Sequence, residues 1–234
     1  MELTVVLPVY NEQSCIADTV SALQSTLAPV YGRGFELIAV DDGSQDNTGA
    51  LLRGMKGVRV LTHPQNRGKG QAVKTGVQAA LGQYIFFTDA DLAYPPSAIL
   101  EGVSLLEGGA GVVAGRRMSD GVPVSAVRRA LSGGFTALTR CLGLCVADTQ
   151  CGFKGFRRTA AALFDRLRIT GYAFDVEFLY LAQKYGFRIC ELPVRLNRAV
   201  RPSKVNPLTD SARMAADLAR IKYYDLTGKY NLKQ

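Results

Sequence analysis

The chain has 234 residues, 47% of them hydrophobic and 21% charged, with a net charge of +8, so it can bury a full core as one domain with at most a modest appendage. No window approaches the ~18 apolar residues of a membrane span, and the first twenty residues carry Glu2, Glu12 and Asp18 where an export leader would be basic and apolar. Five cysteines without paired C-x-x-C spacing and a lone His63 argue against a structural zinc and a disulfide framework, and the expected location is cytoplasmic, with neither transmembrane segment nor signal peptide.

Taken in order, Leu3 to Val9 reads as an apolar strand containing Pro8 and handing over to Tyr10-Asn11-Glu12. Ile16 to Leu27 has helical apolar spacing and ends before Pro29. Phe35 to Val40 is a second strand running into Asp41-Asp42-Gly43-Ser44, and Asp46 can cap a helix that begins near Thr48. Val58 to Leu61 is a third strand, and Asn66-Arg67-Gly68-Lys69-Gly70 opens a helix through Leu81. Tyr84-Ile-Phe-Phe, aromatic and β-branched, is a short buried strand that stops at Asp89-Ala90-Asp91, where Pro95 and Pro96 forbid its extension. Strands alternating with helices at this spacing predict an α/β fold, a doubly wound, mostly parallel sheet with helices on both faces.

Beyond residue 110, Val112 to Gly115 reads as a strand ending in Arg116-Arg117. A helix is expected over 125–144 with a kink at Gly133-Gly134. Gly152 to Arg158 reads as a strand and Phe174 to Tyr185 as an amphipathic helix. Arg188 to Leu196 is a strand that Pro193 suits to an edge. Residues 199–207 form a basic, proline-bounded loop, and an amphipathic helix runs from Leu208 to Tyr224. That last stripe can pack on the protein's own core or rest on an anionic bilayer through its basic and tyrosine side chains.

Charge divides the chain in two. Residues 1–110 hold 7 Lys/Arg against 11 Asp/Glu, and residues 111–234 hold 21 against 9. The second half suits a polyanion: nucleic acid, an anionic membrane surface or a phosphorylated substrate, with a solvated basic face as the alternative. The aromatic and basic interleaving of nucleic-acid modules is missing, so no nucleic-acid partner is expected. Without G-x-G-x-x-G or G-x-x-x-x-G-K-[ST], hydride transfer on a dinucleotide and P-loop hydrolysis lose their support.

The ends of strands one, two and four carry Asn11 and Glu12, Asp41 and Asp42, and Asp89 and Asp91, so a parallel sheet crowds them onto the edge where ligands bind. Acidic groups there would repel a bare diphosphate unless a bridging Mg²⁺ or Mn²⁺ intervened. Asp89-x-Asp91 can hold such a cation or form a polar turn with Asp91 capping the next helix. Asp41 and Asp42 can accept from ribose hydroxyls or a base edge, and Asn66-x-Gly-Lys69-Gly is a phosphate- or base-contacting helix start or a plain glycine turn.

Val-Val-Leu-Pro8-Val-Tyr-Asn-Glu12, Val40-Asp-Asp-Gly-Ser44, Asn66-Arg-Gly-Lys-Gly70 and Asp89-Ala-Asp91, in that order, resemble the motifs of family 2 glycosyltransferases with the GT-A fold. Asp148-Thr-Gln-Cys-Gly-Phe-Lys154, Phe174-Asp-Val-Glu177 and Ser203-Lys204 resemble the branch that transfers a sugar to polyprenyl or dolichyl phosphate, nearer its glucosyl than its mannosyl enzymes. The resemblance implies inverting, metal-dependent transfer of a hexose, foremost glucose from UDP-glucose, onto a polyprenyl phosphate. Transfer to a saccharide or small-molecule hydroxyl, or mannosyl transfer from GDP-mannose, are the alternatives. It implies Asp89 and Asp91 as metal ligands, and Pro8, Tyr10, Asn11, Glu12, Asp41, Asp42, Lys69, Asp89 and Ala90 around the nucleotide sugar. It implies Arg117, Arg128, Ser132, Arg198, Ser203 and Lys204 on the acceptor phosphate. Asp175 would act as base or, with a phosphate acceptor, only orient Lys or Arg neighbours. Ala93 stands where mannosyl relatives carry a glutamine ligand to the metal. On this reading residues 1–207 form the catalytic domain, with a nucleotide-sugar half (1–110) and an acceptor half (111–207), and residues 208–234 a C-terminal helix and tail. Peripheral association with the cytoplasmic face of a membrane is expected.

Overall fold

The computed structural model describes residues 1–118, 126–197 and 207–231, without the side chains of 126–132 and 207–212. Seven strands form one sheet: β1 (Leu3–Val9), β2 (Phe35–Asp41), β3 (Val58–Thr62), β4 (Tyr84–Phe87), β5 (Val112–Met118), β6 (Lys154–Arg157) and β7 (Ile189–Arg195), in the order β3-β2-β1-β4-β6-β5-β7. All pairs are parallel except those of β6, which runs antiparallel to β4 and β5. β7 lies at the sheet's end, which suits its Pro193.

Period-two alternation sorts the strand side chains onto two faces. Val6, Ile38, Ile85 and Phe87 join one buried cluster, and Val5, Leu7, Leu37 and Phe86 join the other. The second face is covered by α1 (Ile16–Tyr31), through Ile16, Val20, Leu23 and Leu27, and by α4 (Ser97–Glu107), through Ile99, Val103 and Leu106. The first face takes α3 (Lys69–Ala79), α7 (Phe174–Lys184) and α8 (Pro207–Leu226), the last through Met214, Leu218 and Ile221. Phe87, Phe156, Phe164, Phe174 and Phe178 interlock there, with Phe156 stacked on Phe164 at 5.2 Å. Truncating any of these buried rings costs about 3–5 kcal/mol. The remaining helices are α2 (Thr48–Gly54), α5 (Ala126–Cys141) and α6 (Arg158–Ala161), the last followed by a 3₁₀ turn over Ala162–Arg166.

Pro8 sits inside a central strand because of the register. The Val6 carbonyl receives Thr88 N–H on the β4 side, so the ladder position of Pro8, two residues on, also faces β4, which has ended at Phe87.

Several boundaries differ from expectation. α1 runs through Pro29 to Tyr31 and stops at Gly32, whose φ of 53° and ψ of −112° suit a residue without a Cβ. β5 continues to Met118, placing Arg116 and Arg117 within the strand, where they pair with Pro193 and Val194. α5 spans Ala126–Cys141, narrower at both ends than the expected 125–144. β4 already stops at Phe87, well before the prolines, and the helix expected after Asp91 starts at Ser97 with Pro96, not Asp91, at its N-cap. Of the basic loop 199–207, residues 199–206 lie outside the described residues, as do Arg198, Ser203 and Lys204; Pro207 begins α8. Arg128 and Ser132 lie on α5, their side chains outside the description.

Candidate active site

β2, β1 and β4 are neighbours, so their C-terminal ends bring Asp41, Asp42, Asn11, Glu12, Asp89 and Asp91 to one edge. The loops there are cross-linked by side chain to backbone. Asn11 N–H donates to Ser44 Oγ at 3.0 Å, Gln45 N–H to Asn11 Oδ1 at 2.8 Å, and Glu12 N–H to Thr48 Oγ1 at 2.9 Å. Asn11 has a φ of 54°, a left-handed conformation that asparagine tolerates. Asp46 accepts Thr48 N–H at 3.0 Å, serving the start of α2 as expected.

A cavity of about 520 Å³ opens at this edge, lined by Tyr10, Asp41, Ser44, Arg53, Gln65 and Asn66 among others. Asp41 is buried and accepts Ser44 N–H at 3.0 Å. Asp42 does not line this cavity. Its carboxylate accepts Arg67 N–H (3.0 Å) and Gly68 N–H (2.9 Å) and pairs with His63 Nδ1 (2.6 Å), so it fastens the turn before α3. Pro8, Asn11, Glu12, Lys69, Asp89 and Ala90 also lie outside the cavity wall. The Ala90 carbonyl is turned inward onto Thr19 Oγ1 at 2.6 Å.

The acidic pair occupies the turn after β4. Lys69, at the first residue of α3, forms an ion pair with Asp89. Burial pulls the Lys69 ammonium down, but the charge and hydrogen bond of Asp89 outweigh it, Asp175 adds to them, and the pKa ends above its usual range. Asp91 accepts Ala93 N–H at 3.1 Å. Burial first, then the Asp89 charge, pushes its carboxyl above the ordinary carboxylate range. Leu92, between Asp91 and Ala93, has a φ of 54°, a strained backbone for a branched residue. Ala93 is buried, and its carbonyl receives Asn197 N–H at 2.9 Å, tying this turn to the end of β7. Among the described residues, no cluster of three or more His, Cys, Asp or Glu forms a metal cage. Any cation held here would take two carboxylates from the protein and the rest of its shell from ligand or water.

On the far side stands the loop before β6. Lys154 is fully buried, donating to the carbonyls of Thr149 (3.0 Å) and Cys151 (2.5 Å) and standing 4.0 Å from Asp175. Burial dominates at Asp175, lifting its carboxyl to about 6 against the pull of Lys154 and Lys69. Arg117 donates from Nε (2.7 Å) and Nη2 (2.9 Å) to Asp148, which also accepts Arg117 N–H. That pair outweighs the burial of Asp148 and holds its carboxyl below the usual range. The Nε/Nη2 edge of Arg117 is therefore already engaged, which narrows its expected phosphate role to its other N–H groups. Gly152 packs so closely that a Cβ there would overlap the Asp89 carboxylate. Lys154, Asp148 and Gly152 were visible in the motif but received no role from sequence reasoning.

The model for Glycosyl transferase family 2 matches residues 4–164. The dolichyl-phosphate beta-glucosyltransferase of Dictyostelium discoideum is 37% identical over 254 residues, covering 99% of this chain and 77% of that protein. The human dolichyl-phosphate beta-glucosyltransferase is 35% identical over 257 residues, covering 100% and 78%. Among solved structures, glucosyl-3-phosphoglycerate synthase from Mycobacterium tuberculosis in complex with UDP aligns with a TM-score of 0.70 at 22% identity, over 100% of this chain and 81% of that one. The same enzyme with Mn²⁺, UDP and glucosyl-3-phosphoglycerate aligns at 0.69. The shared architecture is the GT-A fold.

Proposed function

We propose that this glycosyltransferase, a chain that belongs to glycosyl transferase family 2, moves glucose from UDP-glucose onto dolichyl phosphate or a related polyprenyl phosphate. The observation that carries the reading is the ion pair of Lys69 with Asp89 beside Asp91, on the same sheet edge as the cavity lined by Asp41. Two relatives named for dolichyl-phosphate beta-glucosyl transfer support the acceptor and the sugar.

The cavity takes the uridine, with Asp41 and Tyr10 on its wall, and the diphosphate lies toward Lys69. Pro8, Asn11, Glu12 and Ala90 are the proposed surroundings of the nucleotide sugar outside that cavity; Asp42 acts by holding the turn that carries Lys69. Asp89 and Asp91 would hold Mg²⁺ or Mn²⁺; burial first and the neighbouring Asp89 charge second raise the Asp91 carboxyl, and a bound cation would favour its ionised form. When bound, that ion neutralises charge on the departing diphosphate. Structures of glucosyl-3-phosphoglycerate synthase contain UDP with Mn²⁺ or Mg²⁺.

An oxygen of the lipid phosphate attacks the anomeric carbon as the bond to the β-phosphate oxygen breaks, and the electron pair leaves with UDP. Starting from the α-linked donor, this gives the β product. The acceptor phosphate has a second pKa near 6, so it needs little help from a base. Asp175, between Lys154 and Lys69, orients those cations. Arg117, Arg128, Ser132, Arg198, Ser203 and Lys204 are the proposed phosphate contacts, and their positive charge positions the nucleophile. The acceptor surface and an anionic membrane face would then be approached by the same basic half of the chain.

The test is transfer from radiolabelled UDP-glucose or GDP-mannose to dolichyl phosphate, with Mn²⁺, with Mg²⁺ and with chelator. Butanol-extractable label from UDP-glucose alone, abolished by chelator, is expected. Label from GDP-mannose instead would change the donor, and label only in water-soluble hydroxyl acceptors would overturn the lipid reading.

A further inference from the structure

The motif Phe174-Asp-Val-Glu177 contains a second carboxylate, which the chemistry above does not use. Glu177 is fully buried beneath the C-terminal tail. It accepts Arg168 N–H at 3.0 Å to each oxygen and Ile169 N–H at 2.8 Å, and the hydroxyl of Tyr230 donates to it. Three donors on one buried carboxylate, the Arg168 N–H shared between its two oxygens, fix the loop 168–170 in one conformation.

That loop touches the donor site. The Thr170 carbonyl accepts Gly70 N–H at 3.0 Å, and glycine is required at 68 and 70 because a Cβ would stand 2.7 Å and 2.9 Å from that same oxygen. Lys69 lies between these two glycines and reaches Asp89. From the other side, Asp42 fixes the same turn through Arg67 and Gly68. The start of α3 is thus clamped between the end of β2 and a loop whose buried carboxylate partner, Glu177, is itself bonded by Tyr230.

Tyr230 is held in turn. Its ring is fully buried, its carbonyl accepts from the Tyr185 hydroxyl and from Arg166 Nη1 (3.4 Å), and Arg168 Nη2 reaches the Lys229 carbonyl at 3.3 Å. We infer that Glu177 and Tyr230 are positioning residues for Lys69, so that the C-terminal tail, although remote from the sheet edge, sets affinity for the nucleoside diphosphate donor. The inference rests on the reading that Lys69 faces the donor diphosphate.

The test is a double-mutant cycle on UDP binding, measured calorimetrically on the full chain. Lys69→Ala examines the underlying reading: undiminished UDP affinity would remove Lys69 from the donor site and the inference with it. Given that loss, Tyr230→Phe, which keeps the ring and deletes one hydroxyl, should weaken UDP binding about threefold to tenfold, the worth of one hydrogen bond. It should raise the donor KM more than it lowers kcat and leave the acceptor KM unchanged. Added to Lys69→Ala, it should produce no further loss. A purely structural role predicts equal loss in both backgrounds, and that result, or unchanged UDP binding in Tyr230→Phe alone, overturns the proposal. If Tyr230→Phe does not accumulate as folded protein, Tyr185→Phe releases the Tyr230 carbonyl and should show the same non-additivity with Lys69→Ala.

Discussion

Gly152 leaves no room for a side chain, because the position of its missing Cβ is occupied by the Asp89 carboxylate. Gly152→Ala would force Asp89 away from Lys69 while changing no charge, so transfer should fall by about 10²-fold, the cost of a misplacement near 1 Å. Initial rates at saturating donor would measure it, and wild-type turnover would mean that the placement of Asp89 is immaterial. Asp175 makes a different prediction. Its carboxyl titrates near 6 in the folded protein and near 4 in the unfolded chain, so the native state binds more protons between those values. Native stability therefore declines as pH rises through that window, by about 3 kcal/mol once the carboxyl is fully ionised. Asp175→Asn removes the dependence: relative to wild type, it should gain about 2 kcal/mol in urea unfolding between pH 4.5 and 7.5. Parallel curves for the two proteins across that range would refute the buried, reluctant ionisation of Asp175.

At the scale of elements, what could be read from the sequence was what local patterning controls. The four strands that lead to the site, the start of α3 near Lys69 and the gathering of acids on β1, β2 and β4 all follow from apolar runs that end in turn residues. Direction and partnership were less legible. Lys154–Arg157 falls within the expected strand Gly152 to Arg158, but its antiparallel insertion between β4 and β5 depends on tertiary pairing that a four-residue run does not encode. The extent of α4 was less legible: a helix after Asp91 was one alternative, but Pro95 and Pro96 drew attention as strand breakers, although Ala98, Ile99, Gly102, Val103 and Leu106 carry helical spacing. The same blindness affected side chains. Asp41 and Asp42 look equivalent as neighbours in a strand end, yet alternation sends one to the cavity and the other into the His63 and Gly68 contacts. Arg117 reads as a free cation until its partner Asp148, 31 residues away, is placed beside it. Glu177 and Tyr230 are 53 residues apart, a distance at which only the fold reveals a pair.

For the whole molecule, the uneven charge remains the feature with the widest consequence. No helix among the described residues is long and apolar enough to cross a membrane, yet the proposed acceptor carries a lipid tail. α8 buries Met214, Leu218 and Ile221 against the core, which settles how its apolar stripe is used. At its far end Tyr223 and Leu226 are 56% and 75% exposed, with Lys222 and Lys229 exposed beside them. Basic side chains near an anionic surface contribute about 1 kcal/mol each, and the excess of 21 Lys/Arg over 9 Asp/Glu in residues 111–234 supplies many. The protein should therefore co-sediment with vesicles containing phosphatidylserine and not with phosphatidylcholine alone. Because the Debye length shrinks from about 10 Å at 0.1 M salt to about 3 Å at 1 M, binding should be lost in high salt. Leu226→Ser together with Tyr223→Ser should weaken the residual, salt-resistant part. Equal sedimentation with both vesicle types would assign the basic half to the acceptor phosphate alone, with lipid reaching the site from a carrier or micelle.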